Sequence, residues 1–343
     1  MKKFMMLVCV FILAVVAGCG NKSESTDTPA PNATDAPKSE KKIAIVLPEK
    51  IGVNPFFQLM DEGAKEAGKE FGVQVKTIES TDPNMLEQNL RAAVSDKYDL
   101  IITATFQAED ALKKLAAENP DQQFAIVDTV VDLPNVRSVT FREYESSYLV
   151  GAAAGLSTKT NKVGIVAAAD IPMIKKWTVS FQEGLKATNP DAQCLIGYVG
   201  GFADPAKAKE IAIQQSSQGA DFILGASAVG DLGVFEAAKE KNFYTAGQDI
   251  DYTGNDPDHI VLSQLKGADA VTYATIKDFV EGTFKPGVID YGLKEKGVGV
   301  PFITHETKTP LNPFITQETV DKVKAIADDI ISGKLVLQDP LKQ

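Results

Sequence analysis

The chain runs twice through an alternation of short apolar or β-branched runs with longer stretches of helical period, and this constrains its fold more than any other feature. The first run is Ile43–Leu47, and the stretch after it puts Phe57, Met60, Ala64, Ala67 and Phe71 on one face at three- and four-residue spacing. Further strands are predicted at Val73–Ile78, Leu100–Phe106, Phe124–Thr129 and Val136–Phe141, with helices over 84–95 and 107–118. After an Ala/Gly-rich helix around Tyr148–Leu156 a second series begins, with strands at Lys162–Ala168, Ala192–Val199, Phe222–Ala226 and Tyr244–Asp249 and helices over 173–188, 204–217 and 230–241. Strand–helix–strand succession of this kind makes a parallel sheet covered on both faces. The predicted fold is therefore α/β: two similar lobes, each an open parallel sheet sandwiched by helices, with a ligand cleft between them outside the carboxyl ends of the strands.

The N-terminus is organised differently. Lys2 and Lys3 precede an apolar run of 14 residues, Phe4–Ala17, and then Gly18-Cys19. A membrane span needs about 20 residues, so the charge-then-apolar order is that of a secretion signal. Val16-Ala17-Gly18-Cys19 resembles the lipobox of bacterial lipoproteins, which implies that residues 1–18 are removed and Cys19 is acylated. Residues 20–42 contain no Leu, Ile, Val, Met or aromatic side chain, and such a stretch is expected to be a disordered tether. The domain plan is then a signal at 1–18, an acylated Cys and tether at 19–42, a first lobe at 43–148 plus about 252–292, and a second at 149–251 plus about 293–343. Three crossings near 146–150, 250–254 and 290–300 would join the lobes. A helix over Ala268–Glu281 returns to the first lobe, and a last helix with Val320, Val323, Ala327 and Ile330 on one face closes the structure.

Charge and cysteine usage exclude several classes. The chain carries 35 Lys and Arg against 46 Asp and Glu, a net charge of −11, which becomes −13 when Lys2 and Lys3 leave with the signal. An acidic surface of this size speaks against nucleic acid as a partner and for solubility outside the cell. Of the three cysteines, Cys9 lies in the signal, Cys19 is the acylation site and Cys194 sits in an apolar strand run, where it reads as a small buried hydrophobe. No intramolecular disulfide is expected. Only two histidines occur, and the HExxH, CxxC, GxSxG and GxxxxGK[ST] signatures are missing, so no metal, no cofactor and no enzymatic activity are expected.

Resemblance sharpens the reading. The segments Val139-Thr-Phe-Arg-Glu-Tyr-Glu145, Gly151-Ala-Ala-Ala-Gly155, Lys162-Val-Gly-Ile-Val166, Ile171-Pro-Met-Ile-Lys-Lys-Trp177, Phe181-Gln-Glu-Gly184 and Tyr198-Val-Gly-Gly-Phe202 resemble the basic membrane protein family of solute-binding lipoproteins. Gly219-Ala-Asp221, Gly247-Gln-Asp-Ile-Asp251, Leu262-Ser-Gln-Leu-Lys266 and Ile331-Ser-Gly-Lys334 continue the match in order. That family includes purine nucleoside receptors of ABC transporters and has the type I periplasmic-binding-protein fold. The resemblance implies a monomeric, extracytoplasmic, lipid-anchored receptor whose partners are a small-molecule ligand and a membrane permease. In the N-terminal third the family's Asp-x-Ser-Phe-Asn motif is replaced by Val53-Asn-Pro-Phe-Phe57. Asn54-Pro55-Phe56-Phe57 looks instead like the Asn-Pro-Phe-Phe of ribose-type sugar-binding proteins, so nucleoside and sugar both stay open as ligands.

A purine has two apolar faces and a polar edge, so its binder needs flat side chains above and below and a few directed hydrogen bonds at the rim. Phe56 after the first strand and Trp177 at the equivalent helix of the other lobe are the predicted clamp, with Asn54, Phe57 and Phe106 beside them. Asp249 and Asp251 follow a strand, and a carboxylate there accepts from both hydroxyls of a sugar ring. The resemblance implies that an acid of this Gly-x-Asp-x-Asp segment and the matching Lys266 reach the ligand; Lys266 is also placed to pair with Asp249. Ser227 and Gly230 form a small-residue turn whose amides can approach a ligand, and without a basic residue there a phosphate is not expected.

Two other classes compete. A nucleoside or glycoside hydrolase needs two acids astride the scissile bond or a metal cluster of acids, and Asp249 and Asp251 lie two apart on one segment. A surface adhesin role would add to ligand binding without replacing it.

Overall fold

The computed structural model describes residues 41–342, so Cys19, the signal and the tether up to residue 40 lie outside the described residues, while Lys42, expected in the tether, already opens the first strand. Two six-stranded sheets make up the body, and each runs through the same strand order. In the first lobe β1 (Lys42–Leu47) lies between β2 (Gln74–Glu79) and β3 (Leu100–Ala104), followed by β4 (Gln123–Val127), β5 (Val136–Phe141) and β11 (Gly287–Tyr291), all parallel. In the second, β6 (Lys162–Ala167) lies between β7 (Gln193–Tyr198) and β8 (Phe222–Ala226), followed by β9 (Tyr244–Asp249), β10 (Ile260–Lys266) and the antiparallel β12 (Val298–Gly299). The inner strands read as continuous buried runs, such as Leu100–Ala104 and Phe222–Ala226, because helices cover both faces.

Local chemistry explains the elements. Helix α1 (Pro55–Phe71) starts on Asn54, whose side chain accepts from the Phe56 amide, with Pro55 at its first position, and ends at Gly72 in the left-handed conformation. Helices α2 (Pro83–Ser95), α5 (Pro172–Thr188) and α6 (Pro205–Ser217) open on a proline in the same way. Helix α3 (Glu109–Glu118) begins later than the periodicity predicts, and β3 ends before Phe106, because Thr105 adopts φ 65° and turns the chain into a 3-10 turn over Phe106–Ala108.

Helix α4 (Glu143–Ser157) begins five residues earlier than its Ala/Gly-rich centre suggests, and it packs along α5 of the second lobe. Gly151 faces the Phe181 carbonyl and Gly184 faces the Tyr148 carbonyl so closely that neither position has room for a Cβ. This reciprocal contact fixes the crossing of the two helices.

Two of the three crossings between lobes differ from the predicted plan, and the third falls within the expected 290–300. They fall between Phe141 and Glu143, between Lys266 and Ala268, and between Tyr291 and Leu293. Residues 260–266, expected in the first lobe, form β10 and pair in parallel with β9, so the chain leaves the second lobe only after Lys266. The reason is that the polar loop 250–259 connects neighbouring parallel strands without a helix, just as 128–135 connects β4 to β5. Helix α8 (Ala268–Glu281) then packs on α1 and β11 pairs with β5, while α9 (Gln317–Ile331) packs on α4.

Candidate functional site

A cavity opens where the carboxyl ends of both sheets face each other, with about 530 Å³ of empty volume, part of it open to solvent. Strand order 2-1-3 places this cavity at the switch point of each sheet, where open α/β folds bind their ligands. From the first lobe come Asn54, Phe56 and Phe57 after β1, Thr105 and Phe106 after β3, and Asp128 after β4. From the second come Trp177 on α5, Phe202 after β7, Ala228 after β8, Gln248 and Asp249 on β9, and Lys266 on β10.

The aromatic side chains supply flat apolar walls from both lobes. Phe56 and Phe57 are buried edge-to-face with ring centroids 5.5 Å apart, whereas Phe106 is 46% exposed at the rim. Trp177 is buried, yet its indole Nε1 has no hydrogen-bond partner. Asn54 lines the cavity while its side chain caps α1, at 3.1 Å from the Phe56 amide.

Lys266 stands at the centre. Its Nζ lies 2.7 Å from Asp128 Oδ1 and 2.9 Å from Glu143 Oε1, and within 4.9 to 5.4 Å of the ring centres of Phe56, Phe141 and Trp177. Glu143 Oε2 is in turn 2.9 Å from Lys176 Nζ, which also donates to the Phe141 carbonyl. Burial by itself would lower Lys266, but Asp128, Glu143 and Asp249 around it raise its pKa, so the ammonium is held. Glu143 is buried too, yet the attraction of Lys266 and Lys176 outweighs burial and lowers it to about 2. Asp128 moves the other way, to about 6, because burial exceeds the pull of a Lys266 that it shares with Glu143. Asp249 is likewise raised by burial against the pull of Lys266, and its carboxylate takes only a long 3.4 Å bond from Gln248 Nε2.

Seven of the predicted site residues therefore meet in one cavity: Asn54, Phe56, Phe57, Phe106, Trp177, Asp249 and Lys266. Three do not line it. Asp251 is exposed, its Oδ1 folded back on Thr253 N at 2.9 Å and Thr253 Oγ1 at 2.6 Å, a local turn that ties the acid to its own loop. Ser227 is buried, its amide and hydroxyl both bound to Asp231 Oδ1 at 2.8 and 2.9 Å, and Ala228 takes its place at the wall. Gly230 lies beneath, donating its amide to the Phe202 and Ser227 carbonyls. The expected pairing of Lys266 with Asp249 is replaced by ion pairs to Asp128 and Glu143.

Sequence reasoning passed over Asp128, Glu143, Lys176, Phe202 and Gln248. Asp128 carried a signal, since it ends the fourth strand of the first lobe as Asp249 ends the fourth of the second. Glu143 lies in the resembling segment Val139–Glu145, but nothing local shows that it reaches Lys266, which it meets only through the interlobe crossing.

A two-lobe α/β body with an aromatic, charge-bridged cavity at the carboxyl ends of both sheets defines a solute-binding protein. The family profile described as Bmp, ABC transporter substrate-binding protein PnrA-like, matches residues 40–338, and the chain belongs to that family. It is the substrate-binding component of an ABC transporter, with a small-molecule ligand and a membrane permease as partners. The chain is 30% identical to the CD4+ T-cell-stimulating antigen of Listeria monocytogenes, over 94% of this chain and 93% of that one. It is also 30% identical to the ABC transporter nucleoside-binding protein BmpA of Lactococcus lactis, over 98% and 99%. Among solved structures, an ABC transporter solute-binding protein from Aeropyrum pernix superposes with a TM-score of 0.78 at 29% identity, covering 88% of this chain and 94% of that one. Among the described residues no helix is long and apolar enough to cross a membrane.

Proposed function

We propose that the ligand is a neutral purine nucleoside, held between the lobes with its ring against the aromatic walls and its sugar hydroxyls on Asp249. The observation that carries this reading is the pairing, in one cavity, of aromatic faces from both lobes with a buried carboxylate that keeps free lone pairs. Charge supports it: Asp128, Glu143 and Asp249 outnumber Lys266 and Lys176, so a phosphorylated ligand would meet uncompensated negative charge. The similarity to a nucleoside-binding protein supports it as well. The chain acts as a monomeric receptor without catalysis, exported and anchored through lipid on Cys19; Cys19→Ala would then release the protein from the membrane fraction, and retention there would refute the anchor.

The experiment is a melting-temperature panel of nucleosides, nucleotides, free bases, pentoses and hexoses. At a hundred times its dissociation constant a ligand adds about 2.7 kcal/mol, several degrees of melting temperature. Inosine, adenosine or guanosine should shift it where ribose and the nucleotides do not, and Trp177→Ala and Asp249→Ala should abolish the shift. A sugar acting alone would overturn the nucleoside reading in favour of the one that Asn54-Pro55-Phe56-Phe57, which lines the same cavity, suggests.

A further inference from the structure

Among the described residues, several buried side-chain atoms lack a hydrogen-bond partner, and two of these belong to residues that line the cavity: Trp177 Nε1 and Gln248 Oε1. Trp177 is 3% exposed and Gln248 7%, so bulk water does not serve either atom freely. One is an obligate donor and the other an acceptor, and both come from the second lobe, on α5 and β9. We propose that Trp177 Nε1–H and Gln248 Oε1 form a directed donor–acceptor pair that reads the polar edge of the ligand. The proposal rests on the ligand-binding reading of this cavity and adds to the stacking role of Trp177 a hydrogen bond from its ring edge.

The geometry fixes the polarity of the pair. Gln248 Nε2 faces Asp249 Oδ2 at 3.4 Å, and the opposite amide orientation would set a carbonyl oxygen against a carboxylate. Its Oε1 is thereby left for a ligand donor, an N–H or O–H group. The indole N–H in turn requires a ligand acceptor, a ring nitrogen, a carbonyl or a hydroxyl oxygen. With Asp249 beside Gln248, this side of the cavity offers adjacent acceptors to a ligand with neighbouring donors, as two vicinal hydroxyls or a hydroxyl and a ring N–H present them. A buried polar atom left unpaired is costly, so a ligand lacking the complementary group is rejected more strongly than one that merely fits less well.

The chain contains a single tryptophan, which makes the pair directly observable. The purified full-length protein labelled with nitrogen-15 gives one indole N–H signal, to be followed during titration with inosine, adenosine, guanosine, ribose and galactose. A bound ligand should move that proton downfield and slow its exchange with water. Trp177→Phe, which keeps a flat ring without the N–H, and Gln248→Met, which keeps volume without the amide, should each weaken binding of that ligand about tenfold by calorimetry. If a nucleoside binds while the indole signal stays put, or if either variant keeps wild-type affinity, the pair is refuted and the nucleoside reading survives. If only a sugar binds and the signal moves, the nucleoside reading fails and the pair stands. A signal unmoved by the whole panel refutes the pair, and this arm needs no variant to fold.

Discussion

Asp128 and Asp249 hold the same station in different sheets: Asp128 directly follows β4, Asp249 closes β9, and both have φ 73°. A positive φ is uncommon for a residue with a Cβ, although aspartate tolerates it better than most. Each strand is fourth in its lobe by chain order, so the two carboxylates enter the cavity from opposite sides. Lys266 stands near both, ion-paired to Asp128 and attracted by Asp249. The internal repeat has thus placed an acid from each lobe beside one ammonium.

Removing that ammonium should cost more than it would at a surface. Lys266→Met keeps the apolar stem but leaves the buried Glu143 and Asp128, whose side chain is 9% exposed, with less compensation. Breaking a buried pair from one side costs about 3–5 kcal/mol, so the urea midpoint should fall markedly. A variant as stable as the parent would mean that these acids protonate or reach water at little cost.

Asp231 is buried, with Oδ1 bound to Ser227, and burial pushes its carboxyl up to about 8. The folded chain therefore keeps a proton that the unfolded chain releases near pH 4, and stability falls as pH rises between about 4 and about 8. Asp128, raised to about 6, contributes in the lower part of this window and Asp249 is raised as well, so the comparison with the Asp231 variant is what assigns the slope to Asp231. Asp231→Asn should flatten the decline there in thermal melts; an unchanged slope would show that Asp231 is ionised in the fold.

Helix packing offers a third test. Gly151→Ala or Gly184→Ala would gain about 1 kcal/mol of helix propensity in isolation. Each Cβ would collide with a backbone carbonyl of the opposite helix, so the net effect should be a loss of about 1–3 kcal/mol by calorimetry or denaturant titration. Stabilisation by either substitution would refute the close crossing.

Cys194 should be chemically quiet. It is half-buried on β7, and burial pushes its thiol up to about 12, so little thiolate exists at neutral pH. Reaction with a disulfide reagent should be slow in the native protein and fast in strong urea; rapid native modification would contradict this environment.

Much of the architecture was legible because its signals are local. Periodicity marked the strands Val136–Phe141, Phe222–Ala226 and Tyr244–Asp249 at the bounds the fold shows, and Ala268–Glu281 as a helix. The assignment of residues 260–266 failed because a strand of that composition pairs equally well in either lobe, and sheet membership depends on where the preceding loop leads. Asp251 was misplaced for a similar reason, since a short-range turn to Thr253 competes with the cavity for its carboxylate.

The sequence by itself determined the two-fold α/β plan, the aromatic candidates after the equivalent first strands of each lobe, and the family to which the chain belongs. These rest on side-chain period and on short motifs, each of which spans only a few residues. Only the tertiary structure decided that Lys266 meets Asp128 and Glu143, 138 residues away in the first case. It also decided that Trp177 and Gln248 line one cavity, each with a buried polar atom whose hydrogen bond is unmet. Such partnerships depend on how the crossings bring the carboxyl ends of two sheets to face each other, and no local preference encodes which carboxylate a distant ammonium will find.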